Sequence, residues 1–149
     1  MQKKKCTKRE IFLGEMEAVV PWTRLAALIA PYYTKPRKGR PQMPLSVMLR
    51  IYFLQQWYSL SDPGAEEALY DMHSMRNFVG LDLGHDAIPD ETTILNFRHL
   101  PEAHNLAEAL FDAVSSYSSR PISSDAWWHH YGRHPNRRCT LDQKQGPQA

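Results

Sequence analysis

Long hydrophobic runs are missing from this 149-residue chain. No apolar stretch approaches the ~20 residues that span a bilayer, and the lysine-rich start lacks the apolar segment of a signal peptide. Membrane insertion is therefore not expected, and a cytoplasmic setting is. Cysteine is nearly absent as well. Cys6 and Cys139 sit near opposite ends, a disulfide between them would have no supporting framework, and a reducing compartment suits the chain better. Glycine is sparse and nowhere forms a phosphate-cradling loop. No serine–histidine–aspartate order and no paired active-site cysteine is found, nor any strand pattern before residue 114, nor an internal repeat. These gaps remove the commonest hydrolase, nucleotide-binding and redox readings.

What is present is uneven charge. The formal net charge of +2 conceals a basic front and an acidic body. Residues 1–40 carry ten Lys/Arg against three Asp/Glu, residues 41–114 three against eleven, and the remainder five against two. A basic front suits contact with a polyanion, while a merely solvated N-terminus would look the same by charge alone.

Apolar spacing predicts helices and nothing else. Thr7 and Glu10 have capping-box spacing ahead of a helix over 8–19 that stops at Pro21. A second helix is expected over 22–30, ending before Pro31, with Leu25, Leu28 and Ile29 on one face. The prolines and cations of 32–44 read as an extended basic loop. Helix 45–59 is apolar almost all round and should be central. Ser61 and Pro63 open a helix over 63–73 with Leu69 and Met72 inward, and a short helix near 75–79 closes at Gly80. Asp90 caps a helix over 91–100. Pro101 is a misfit in a pattern that would otherwise run on, because an interior proline costs ~3 kcal/mol. The last helix is expected over 102–114, with Leu106, Leu110, Phe111 and Val114 on one stripe.

Several segments, taken in order, resemble the N-terminal domain of bacterial insertion-sequence transposases, in the group named for insertion sequence five. They are Lys8-Arg9-Glu10-Ile11-Phe12-Leu13, Met16-Glu17-Ala18-Val19-Val20-Pro21-Trp22, Pro44 through Asp62, Glu67-Ala68-Leu69-Tyr70-Asp71, and Ile88-Pro89-Asp90-Glu91-Thr92-Thr93-Ile94-Leu95-Asn96-Phe97-Arg98-His99-Leu100. The resemblance covers roughly residues 8–114. It implies a compact all-α domain over 1–114 that binds the element's terminal DNA repeats. In the full-length family a ribonuclease-H-like domain follows, whose two aspartates and one glutamate hold divalent metal such as Mg2+. Paired ions suit phosphoryl transfer because they stabilise both the attacking and the leaving oxygen. The family normally has leucine where this chain has Pro101, which leaves the local fold of 98–104 open.

Residues 115–149 lose helical periodicity and are expected to be a disordered, out-of-frame tail. Reading residues 117–126 and 127–144 from the second base of each codon permits family-like sequence. There the first metal-binding aspartate is encoded across the codons of Gly132 and Arg133. On that reading Asp125 and Asp142 are by-products of the shift, the chain holds no catalytic residue, metal site or cofactor, and it is inert in strand cleavage. His129, His130, His134 and Cys139 match no standard zinc-finger spacing.

Two sets of residues suit DNA contact. The first is the polar start and later cations of helix 91–100: Thr92, Thr93, Asn96, Arg98 and His99, which with helix 63–73 would form a helix-turn-helix-like pair. An ordinary capped surface helix is the alternative, and Asp86, Asp90 and Glu91 favour it. The second is Lys35, Arg37, Lys38 and Arg40, with Lys3, Lys4, Lys5, Lys8 and Arg9 behind them, suited to phosphate. Trp22, Tyr52, Trp57 and Tyr58 read as core aromatics. The leading expectation is a DNA-binding transposase fragment. The rivals are a fragment that pairs with full-length transposase and inhibits it, and a product without function.

Overall fold

A computed structural model describes residues 5–33 and 41–118. The order of elements is α1 (Lys8–Val19), α2 (Trp22–Ile29), α3 (Leu45–Tyr58), α4 (Asp62–Asp71), α5 (His73–Val79), α6 (Glu91–Ala103) and α7 (Leu106–Ser118). The fold is all-α, with no strand among the described residues.

Local chemistry sets most of the helix starts. The Glu10 amide donates to Thr7 Oγ1 at 3.2 Å and the Thr7 amide donates to Glu10 Oε2 at 2.8 Å, so the capping box forms as spaced. The Gly64 amide donates to Ser61 Oγ at the head of α4, with Pro63 just inside the helix, where its missing N–H costs nothing. At the end of α5 the chain reverses through Gly80 at φ 87°, a conformation that favours glycine.

α3 is the hub and packs against α2, α4, α5 and α6. Every residue from Val47 to Gln55 is buried except Arg50. Full burial of a Leu, Ile or Met contributes ~1.5–3 kcal/mol, so α3 alone supplies much of the hydrophobic stabilisation. Of the expected core aromatics Tyr52 is buried, while Trp22, Trp57 and Tyr58 pack half-buried against the core: Trp22 meets Phe53 edge-on at 5.6 Å, and Trp57 lies 5.6 Å from Phe12 and 5.8 Å from Phe78. α7 closes the bundle against α1, α2 and α6.

Several expectations need correction. α6 does not stop at Leu100 but runs through a fully buried Pro101 to Ala103. The proline sits in the last turn, so a single helical bond is forfeited while its ring fills the core. α7 accordingly begins at Leu106, after Asn105 at φ 50°, and reaches Ser118 instead of ending at Val114. On α7 the buried stripe is Leu110 and Ala113, whereas Phe111 is 56% exposed. Met72 packs against the core as expected, but from the junction between α4 and α5 and only half-buried, since α4 ends at Asp71.

Candidate nucleic-acid interface

α6 is pinned along one side and open along the other. Its first turn is sealed by carboxylates. The Thr93 amide donates to Asp90 Oδ1 at 2.8 Å, and the Glu91 amide donates to Glu66 Oε2, also at 2.8 Å. Ile94, Phe97 and Pro101 face the core. Facing outward are Thr92, Asn96, His99 and Ala103, all exposed and spaced to share one side of the helix. That stripe is about 16 Å long at 1.5 Å per residue.

The expected site residues therefore divide. Thr92, Asn96 and His99 come together on the open stripe, and Thr93 is half-buried on the flank. Arg98 is committed elsewhere. Its guanidinium lies 3.3 Å from Asp62 of α4 and 3.8 Å from Glu102 one turn on, and its side chain is 33% exposed. Arg9 is likewise built into the fold, with its guanidinium 5.6 Å over the Tyr58 ring and an N–H donated to Met72 Sδ. Lys5 and Lys8 are exposed. Lys35, Arg37, Lys38 and Arg40 lie outside the described residues, as do Lys3, Lys4 and the histidines and cysteine of the tail. α4 and α6 do pack together, in antiparallel order: Asp62 meets Arg98 while Glu66 meets Glu91. They are joined through α5 and residues 80–90 instead of the tight turn of a simple helix-turn-helix.

The root of the basic loop holds residues that sequence reasoning passed over. Tyr32 stacks on His104, just beyond the end of α6, with ring centroids 4.0 Å apart and planes at 26°. Tyr33 lies edge-on to Phe97 of α6 at 5.8 Å, and its hydroxyl donates to the Met43 carbonyl at 2.6 Å. Burial raises the Tyr33 phenol above 10.0, partly offset by a hydrogen bond with Gln42. Both ends of segment 34–42 are thus clasped beside the C-terminal half of α6. The one sequence signal was a Tyr-Tyr pair immediately ahead of the cationic run.

The family follows from comparison with known proteins. The family model described as a transposase domain (DUF772) matches residues 1–100. The chain belongs to this transposase family. Membership ties it to DNA transposition. The match spans α1 to α5, the base of the loop and the open stripe of α6 up to Leu100. No solved structure matches the transposase chain. Among the described residues no helix is long and apolar enough to cross a membrane, and no three His, Cys, Asp or Glu side chains are grouped to hold a metal ion.

Proposed function

We propose that this transposase chain is a DNA-gripping N-terminal portion of the insertion-sequence-five group. It would hold the element's terminal repeats with the open stripe of α6 and the cations Lys35, Arg37, Lys38 and Arg40. The observation that carries the reading is the packing of Tyr32 and Tyr33 onto α6, through His104 beyond its end and Phe97 of its core-facing side, which brings the origin of a strongly basic segment to the helix that bears the open stripe. A helix fits the major groove, where asparagine and histidine can hydrogen-bond base edges, and nearby cations neutralise phosphate. The acidic remainder of the body favours contact through this side alone.

The proposal extends to the tail. The reading frame leaves that of the family between Val114 and Ser118, in the last residues of α7, and the first metal-holding aspartate is lost across Gly132 and Arg133. The chain alone then supplies no ligands for the Mg2+ of the full-length family and does not cleave strands. DNA sequencing tests this part: the alternative frame should continue as a nuclease-like domain, and early stop codons there would refute it.

DNA binding is tested by fluorescence anisotropy with terminal-repeat duplex across a salt series. Substituting Lys35, Arg37, Lys38 and Arg40 together by alanine should flatten the plot of log K against log salt by up to about 3.6, at 0.9 per phosphate contact. An unchanged slope would refute the loop contact.

A further inference from the structure

We infer that the Arg9 guanidinium, with the exposed ammonium groups of Lys5 and Lys8, forms a seat for a phosphate group at the head of α1. Arginines packed into this fold meet carboxylate or carbonyl oxygen, with one exception. Arg50 lies against the Glu17 carboxylate, Arg76 donates to the Leu69 and Tyr70 carbonyls, and Arg98 faces Asp62 and Glu102. Arg9 is half-buried and meets neither kind of oxygen among the described residues. Its guanidinium sits 5.6 Å over the Tyr58 ring, within reach of that residue's hydroxyl, and one N–H goes to Met72 Sδ at 3.2 Å. The buried Nε has no acceptor. A thioether accepts weakly, and a ring face holds a cation only modestly where water has access. A partly desolvated charge kept by such partners gains from an arriving anion.

Two acids lie near in sequence. Glu10 turns its Oε2 to the Thr7 amide at 2.8 Å, and Asp71, beside Met72, is exposed; neither is ion-paired with Arg9. Lys5, Lys8 and Arg9 outnumber them, so this corner is net positive on a body that is otherwise acidic. The positive end of the α1 dipole lies at the same place. A guanidinium fork matches two phosphate oxygens at once, and the ring and thioether already hold this one in position, so little rotamer freedom is lost on binding. The third oxygen and the second negative charge remain for the two lysines. The seat lies at the Tyr58 end of α3, roughly 20 Å along the helix from its Leu45 end, where the basic segment rejoins the body. It is thus separate from the root of that segment, and the inference does not depend on the DNA-binding reading.

The experiment titrates the full chain with inorganic phosphate, followed by heteronuclear NMR, beside a chloride series matched in ionic strength. The Arg9 Nε signal and the Lys8 and Met72 amides should move together and saturate with phosphate, and stay in place with chloride. Arg9→Gln should raise the half-saturating phosphate concentration about tenfold, through loss of charge-assisted hydrogen bonds. Lys5→Gln combined with Lys8→Gln should raise it about threefold, and Arg24→Gln, at an exposed arginine of α2, should leave it unchanged. The lysine pair decides the matter should Arg9→Gln not fold. A short duplex added at saturating phosphate identifies the source. A second shift of the Arg9 signal assigns the seat to nucleic-acid backbone, and an undisturbed signal assigns it to free phosphate. Shifts that grow without saturating, or that chloride reproduces, would overturn the inference. So would an unchanged half-saturation in both the Arg9 and the lysine variants.

Discussion

The Arg50 guanidinium lies 2.8 Å from the Glu17 carboxylate and joins α3 to α1 in a nearly closed site. The Trp22 ring covers the guanidinium at 4.8 Å and Phe78 lies at 5.7 Å, so the charge is held between two aromatic faces. Arg50 also donates to the Phe78 carbonyl. One side chain therefore connects α1, α2, α3 and α5, and it is the one interruption in the buried run of the central helix.

Removing one partner of this pair should be costly. With side chains 20% and 14% exposed, Glu17→Ala is expected to destabilise by about 2–4 kcal/mol, somewhat below the range for a fully buried pair. Replacing both residues by methionine should recover most of that loss, because no charge is then left unmatched. Equilibrium urea unfolding measures both variants. A double variant as unstable as the single one would contradict this account.

Asp62 is a second junction. It accepts from Gln55 Nε2 at 2.8 Å through one oxygen and faces Arg98 at 3.3 Å through the other. Gln55 is only 5% exposed, so Asp62→Ala strands a buried amide at about 1–3 kcal/mol. Asp62→Asn should keep much of the Gln55 contact and lose less. Thermal unfolding should rank wild type above asparagine above alanine. Arg98→Ala should lower stability with them, and any loss of DNA affinity should be recovered under conditions that keep the variant folded.

Pro101→Ala should stabilise the chain by about 1–2 kcal/mol. It restores an N–H for the Phe97 carbonyl and relieves an interior-proline cost of ~3 kcal/mol, against the loss of some buried ring surface. A fall in Tm would show that the ring's packing dominates.

Alkaline pH should loosen the fold at identifiable places. Burial raises the Tyr33, Tyr52 and Tyr58 phenols above 10.0. The Glu102 carboxylate adds to the rise at Tyr52, while Arg98 opposes it there and Arg9 opposes it at Tyr58. A phenol held protonated by the fold contributes stability that is complete below the unfolded value of 10.0. That stability is lost as pH rises through the folded value. Tyrosinate absorbance should accordingly develop together with loss of helix above pH 10. Tyr52→Phe should shift the loss of helix to higher pH, and an unmoved midpoint would remove Tyr52 from the account.

The helices were legible because this sequence marks their starts with side chains that bind backbone amides. Thr7, Ser61 and Asp90 announce α1, α4 and α6, and the apolar surround of α3 shows it to be central. The end of α6 was not legible. Proline within a last turn and proline after a helix look alike in sequence, and only core packing around Pro101 separates them. At the interface, sequence reasoning named Thr92, Thr93, Asn96, Arg98 and His99 as one set, without separating one face of the helix from another. It could not show that Arg98 belongs to Asp62, because a charge pair between α4 and α6 depends on how the helices pack. Nor could it bring Tyr32 to His104 across more than seventy residues of chain.

The hydroxyl bond from Tyr33 to the Met43 carbonyl joins two positions ten residues apart. Lengthening a tethered excursion twofold costs only about 0.6 kcal/mol in closure entropy. A change of length or charge between those two positions would therefore leave α2 and α3 in place. The joint, and not the residues it encloses, is then what the neighbouring helices depend on.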